Sequence, residues 1–166
     1  PVDQNSAYAA QISGLTLSPT SALRVGTINV SYKPGSKAGK KAVLVGVPGA
    51  FTPTCSAKHL PQFVERAAEL RAKGVDLIAC VSVNDVHVMS AWGKAQNVRD
   101  VVAMVADGNG DFARAMGVAF DGRAFGMGER SRRYAAVIVD GVIKSLQIEE
   151  PGKLEVSTVD AVLAAL

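Results

Sequence analysis

The sequence predicts an α/β fold in which a central mixed sheet is flanked by helices, and three observations carry that expectation. Two apolar runs, residues 42–47 and 75–83, read as buried strands on either side of a helical stripe. Strand, helix and strand in that order imply a parallel pair joined by a right-handed crossover. Nearer the end, residues 131–139 and 142–148 flank Asp140-Gly141, a two-residue signal for an antiparallel hairpin.

Taken in order, the chain begins with a small, polar lead-in over residues 1–14. Short β-type runs then alternate with turn residues over 15–32. Residues 33–41 are basic and glycine-rich, but only three residues separate the glycines and no Ser or Thr follows the lysines. That spacing excludes a phosphate loop and leaves a solvated connection. After Cys55, the positions Leu60, Phe63, Val64, Ala67 and Leu70 recur at helical spacing, with Gly74 placed to cap the end. Asn84-Asp85 opens a short helix through Met89 and Trp92, and residues 101–106 form a third strand.

Asp107-Gly108-Asn109-Gly110-Asp111 mimics a calcium loop, yet Phe112 and Val118 stand where such a loop needs Gly and Glu. It reads as a turn and helix cap, followed by a short helix over 112–116 and a glycine-rich loop over 117–128. Ser157, with Asp160 three residues on, caps a last helix whose apolar face is Val159, Val162, Leu163 and Leu166. A β-α-β unit, a hairpin and a terminal helix make a thioredoxin-like architecture, expected as one domain over residues 1–166.

At 166 residues, 48% hydrophobic and 20% charged, the chain can bury a substantial core. Its net charge of +3, with acids and bases interspersed, argues against a nucleic-acid surface. No apolar run approaches the length of a membrane span. Two cysteines are too few for a disulfide scaffold and suit a reducing compartment. No signal-peptide pattern opens the chain, so the expected compartment is the cytoplasm, or an organellar stroma or matrix if a targeting segment was removed.

The chemistry concentrates in Val47-Pro48-Gly49-Ala50-Phe51-Thr52-Pro53-Thr54-Cys55-Ser56. Here a strand breaks at Pro-Gly and a helix begins within a few residues of Cys55. Amide groups and the dipole at a helix start favour an anion, so a thiolate gains over a thiol. Thr52 stands three residues earlier, where its hydroxyl can turn toward the sulfur.

Pro48, Thr52 and Cys55 fill a Pro-x-x-x-Thr-x-x-Cys pattern, and the whole loop resembles the active-site loop of the type II (peroxiredoxin 5-like) peroxiredoxins. The segments 79–85, 91–93, 106–108 and 130–134, and the closing Glu149-Glu150-Pro151-Gly152, are similar to segments of that subfamily. The resemblance implies a thiol-dependent peroxidase that needs no cofactor or metal and acts on hydrogen peroxide and organic hydroperoxides. It makes Cys55 the peroxidatic cysteine, oxidised to a sulfenic acid. Arg133 becomes the arginine that contacts sulfur and peroxide, and Arg130 and Arg132 are left as solvated charges. Thr52 and the amides of Thr54 and Cys55 would hold the peroxide, with Pro48 shielding the sulfur. His59, one turn past Cys55, reads as a structural residue of the helix, since a thiolate needs no base.

Ionisation alone cannot supply the rate. A thiol of pKa ~8.5 is ~3% ionised at neutrality, and lowering it to ~6 raises that roughly thirtyfold. Nucleophilicity gives back roughly ten- to twentyfold, leaving about two- or threefold. The larger effect must act on the peroxide oxygens.

For recycling, Val156-Ser157 occupies the region where the animal branch carries a resolving cysteine. The expected reductant is glutathione with glutaredoxin; the alternatives are an internal Cys55–Cys80 disulfide reduced by thioredoxin, or a role as peroxide sensor. A homodimer is implied, packed near Phe51 and Phe125.

Overall fold

A computed structural model describes residues 41–166. The strands expected over 15–32 and the basic loop before residue 41 lie outside the described residues. Seven strands appear in the described part: β1 (Lys41–Gly46), β2 (Val75–Ser82), β3 (Ala103–Ala106), β4 (Ala119–Asp121), β5 (Glu129–Ser131), β6 (Tyr134–Val139) and β7 (Val142–Ile148). The helices are α1 (Leu60–Glu65), α2 (Ala67–Ala72), α3 (Val86–Ala95), α4 (Asp111–Ala115) and α5 (Val159–Ala165), with a π-helical turn at Cys55–His59.

Five strands form one mixed sheet in the order β3-β2-β1-β6-β7. β1 runs parallel to β2 and antiparallel to β6, so the expected parallel unit and hairpin meet on one central strand. Both faces of that sheet are covered, which is why its strands read as continuous apolar runs. Val43, Val45, Ile78, Cys80 and Val137 face one layer, where Leu60, Phe63, Leu70, Trp92 and Val162 of the helices pack. Leu44, Ala79, Val81 and Ala136 face the other, against Ala113, Met116 and Val118.

The hairpin turns as its residues demand. Asp140 and Gly141 both take positive φ, 53° and 78°, the left-handed pair that matches strand twist in a two-residue turn. Gly46 has a different reason. It lies opposite Tyr134 in the β1–β6 ladder, and a Cβ there would stand 2.0 Å from the tyrosine ring. Only glycine lets the buried ring of Tyr134 lie flat across the strand end, and this seats the start of β6 beside the active loop.

Three expectations need correction. The glycine-rich stretch 117–128 is not merely a loop: β4 pairs antiparallel with β5, closed by a 3-10 turn at Arg123–Phe125. The strand expected over 131–139 is broken, because Ser131 ends β5 and Tyr134 begins β6 in a different sheet. Arg132 and Arg133 occupy the crossing between them. Finally, Thr158, not Ser157, caps α5, its hydroxyl accepting from Ala161 N at 3.3 Å. Ser157 is fully buried and turned inward. Among the described residues no helix is long and apolar enough to cross a membrane.

Candidate active site

Cys55 opens the π-helical turn at the carboxyl end of β1. The first bond of the helical stretch runs from Ser56 N to Thr52 O at 3.0 Å. The amides of Thr54 and Cys55 therefore precede the helical ladder and have no partner within it. Leu60 N reaches back five residues to Cys55 O, and this wider turn carries both Cys55 and His59 inward, each with no exposed surface. Trp92 of α3 holds the next residue, its indole N–H donating to Ser56 Oγ at 3.0 Å.

Arg133 arrives from the crossing between β5 and β6. Its Nη1 stands 3.5 Å from Cys55 Sγ and 3.1 Å from His59 Nδ1. An arginine can only donate, so Nδ1 must accept, and the imidazole carries its proton on Nε2. That N–H donates to Ser157 O at 2.9 Å. Burial, helped by the Arg133 charge and opposed by the Ser157 bond and the Glu149 charge, lowers the His59 pKa from 6.5 to about 4. A neutral ring is the form that can receive Arg133.

Behind His59, Glu149 Oε1 accepts from the amides of Glu155, Val156 and Ser157 and from the Ser157 hydroxyl, all at 2.7–2.8 Å. Burial opposes its charge, but these bonds together outweigh it and hold the carboxyl below its ordinary range. His59 was expected to serve the helix; the structure instead sets its Nδ1 against the Arg133 guanidinium. Glu149 and Ser157 were missed as members of the site. The only signal was a histidine one turn after the cysteine.

Thr52 departs from expectation. Its hydroxyl donates to Gly49 O at 2.8 Å, so its one proton is directed at the backbone and not at the sulfur. Lone pairs remain, and the hydroxyl is set to accept. Pro48 and Thr54 are half-buried in the same loop. Phe51 between them takes φ 60°, a costly conformation for an aromatic residue, with 56% of its surface exposed. Arg130 and Arg132 are not solvated charges. Arg130 donates to Val83 O and Met127 O at 2.6 and 2.7 Å, and Arg132 to Glu149 O at 2.7 Å.

The model of the Redoxin family matches residues 13–163. This chain belongs to the redoxin family. Within it the chain is a type II peroxiredoxin by its relatives. It is 53% identical over 131 residues to Peroxiredoxin-2E, chloroplastic, of Arabidopsis thaliana, across 78% of this chain and 56% of that one. Against Peroxiredoxin-2B of the same plant it is 50% identical over 129 residues, covering 78% and 80%. Among solved structures, reduced Prx3 of Vibrio vulnificus in complex with hydrogen peroxide is 54% identical, with a TM-score of 0.73 over 77% of this chain and 80% of that one. The chain spans a little over half the length of the chloroplastic relatives it matches, 56% and 59%.

The buried peroxiredoxin histidine makes folding sensitive to acid. In the unfolded chain His59 takes a proton near pH 6.5, whereas the folded chain refuses it until about pH 4. Stability is full above 6.5 and is lost as pH falls toward 4, by about 3 kcal/mol if the whole shift is expressed. Urea unfolding across this window should show the loss in wild type and a much flatter profile in His59→Gln; equal profiles would contradict it.

Proposed function

We propose that this chain is a thiol-dependent peroxidase that reduces hydrogen peroxide and organic hydroperoxides at Cys55. The observation that carries the reading is Arg133 Nη1 at 3.5 Å from the buried Cys55 Sγ, with His59 holding the guanidinium from behind. A sulfur that only filled the core would have no use for a buried cation aimed at it.

In the proposed reaction the Cys55 thiolate attacks the nearer peroxide oxygen along the O–O axis. A sulfur–oxygen bond forms and the O–O bond breaks. The sulfur is oxidised to a sulfenic acid, and the departing oxygen leaves as water or an alcohol once protonated. Arg133 and the amides of Thr54 and Cys55 supply hydrogen bonds to the oxygens as charge develops. The Thr52 hydroxyl, its proton held by Gly49 O, accepts from the peroxide O–H and orients it. Pro48 shields the sulfur from bulk water. The Vibrio relative's complex with hydrogen peroxide supports the substrate class.

For recycling we favour an external thiol, glutathione with glutaredoxin, over a Cys55–Cys80 disulfide opened by thioredoxin, because Cys80 is held within β2 between β1 and β3 and its thiol is pushed up by burial. A test is to supply hydroperoxide with glutathione and glutaredoxin, or with thioredoxin and its reductase. Sustained consumption with the first pair supports this reading; turnover with neither pair would end it. The relatives named chloroplastic support an organellar stroma as the compartment over the cytoplasm.

The partner surface is proposed to be a second copy of the chain. Phe51 and Phe125, 56% and 73% exposed, are large apolar side chains on loops, and their burial would favour association. Sedimentation of the reduced protein at micromolar concentration should give a dimer that Phe51→Ser weakens, and a persistent monomer would refute it.

A further inference from the structure

The active loop is gripped by a residue that the attack of sulfur on peroxide does not itself require. The peptide group joining Gly49 to Ala50 is bonded at both edges. Its N–H donates to Asn84 Oδ1 at 2.9 Å. Its carbonyl, Gly49 O, accepts the Thr52 hydroxyl at 2.8 Å and the Thr52 amide at 3.4 Å. Asn84 Oδ1 takes a second donor, Ser82 Oγ, at 2.8 Å, from a serine fully buried at the end of β2. Because the Ala50 amide can only donate, the carboxamide oxygen must face the loop. The neighbouring Asp85, not Asn84, caps α3, taking the amides of His87 and Val88.

The surroundings leave this peptide little room. A Cβ added at Gly49 would stand 3.0 Å from Thr52 Cγ2 and 3.9 Å from both Asn84 Oδ1 and Arg130 Nη1. Phe51, inside the same turn, holds its unfavourable positive φ. A strained turn relaxes unless its surroundings over-determine it.

We propose that Asn84 is a positioning residue for the peroxide reaction, acting through the Gly49–Ala50 peptide on the Thr52 hydroxyl. This rests on the peroxidase reading above. The plane of that peptide sets where Gly49 O points, and Gly49 O sets where the Thr52 proton goes. A carbonyl whose own peptide N–H is already bonded is also the stronger acceptor. With the proton fixed, the lone pairs of Thr52 stay available to a peroxide O–H. Without Asn84 the peptide can tilt, and the direction of the hydroxyl proton is no longer fixed.

A double-mutant cycle tests this. Asn84→Ala should slow the second-order reaction with hydrogen peroxide by roughly five- to tenfold, the size of one net hydrogen bond. In a Thr52→Val background the same change should cost less than about twofold, because the group through which Asn84 acts is gone. Equal slowing in both backgrounds, or none in either, would overturn the proposal. Hydrogen exchange of the Ala50 amide reads the clamp without activity: it should quicken in Asn84→Ala and stay slow in Asn84→Asp, which keeps an acceptor. Unchanged exchange in Asn84→Ala also overturns it. If wild type itself consumes no peroxide, the peroxidase reading falls, and the Ala50 amide still reports on the clamp. Should Asn84→Ala not fold, Asn84→Leu, of similar size and without an acceptor, replaces it in the cycle with the same outcomes.

Discussion

Arg133→Ala is expected to slow the peroxide step by about two to three orders of magnitude, the usual worth of one preorganised donor to a charged transition state. Nη1 carries two protons, and Cys55 Sγ and His59 Nδ1 lie where each can take one. The guanidinium is thereby fixed before the peroxide arrives, and Arg133 as a whole is buried, so little water competes for it. Stabilising the thiolate cannot account for such a loss, since ionisation nets only about two- or threefold. Stopped-flow rates taken well above the variant's thiol pKa separate the two effects. A deficit that persists there locates the work of Arg133 on the oxygens; full recovery would mean it only ionises the sulfur. Arg133→Lys should not restore the rate, because a single ammonium on a flexible stem does not reproduce the planar group that meets sulfur and imidazole together. Thermal unfolding of both variants checks that the crossing between β5 and β6 survives.

What could be read in the sequence, and what could not, divides by range. The strands of the parallel unit, the Asp140-Gly141 turn and the helix start at Cys55 declare themselves within windows of a few residues, through period, turn chemistry and chain punctuation. Cys55, Thr52 and Arg133 were placed together by resemblance to a family, and the structure brings Arg133 to the sulfur across 78 residues. The supporting contacts have no such signal. Ser157 meets His59 from 98 residues away, and Asn84 meets Ala50 from 34. A hidden serine looks like a helix cap when Thr158 beside it has the same hydroxyl chemistry. Likewise, the arginines at 130, 132 and 133, within four positions, look alike in a string of letters. Only the switch between two sheets at that point turns one toward sulfur and the others toward carbonyl oxygens. The β4–β5 pair was hidden because Gly122, Gly126 and Gly128 read as loop, although Gly122 N donates to Gly128 O at 2.7 Å.

Cys55→Ser is expected to end peroxide consumption, with residual turnover below about a tenth of wild type, whereas Cys80→Ser should leave turnover near its full value with glutathione as reductant. Both sulfurs are fully buried and belong to one apolar cluster, so burial does not distinguish them. Their surroundings do. Cys55 has the cation, the helix start and amides that precede the helical ladder. Cys80 sits within β2, bonded on one side to β1 opposite Val45 and on the other to β3 opposite Met104. Burial pushes its thiol up, the nearby Cys55 charge adds to that, and Arg133 opposes it too weakly to reverse the direction. A protonated thiol attacks poorly, and a disulfide needs Cα atoms within about 7 Å and suitably directed Cβ atoms. A central strand held on both edges can offer that only by opening locally. Intact mass after one equivalent of hydrogen peroxide, without added thiol, decides between the routes. A protein that gains one oxygen and then exchanges it for glutathione, with Cys80→Ser turning over normally, supports the external route. Rapid loss of two hydrogens, a Cys55–Cys80 peptide and a Cys80→Ser variant that stalls would instead make local opening of β2 a step of the catalytic cycle.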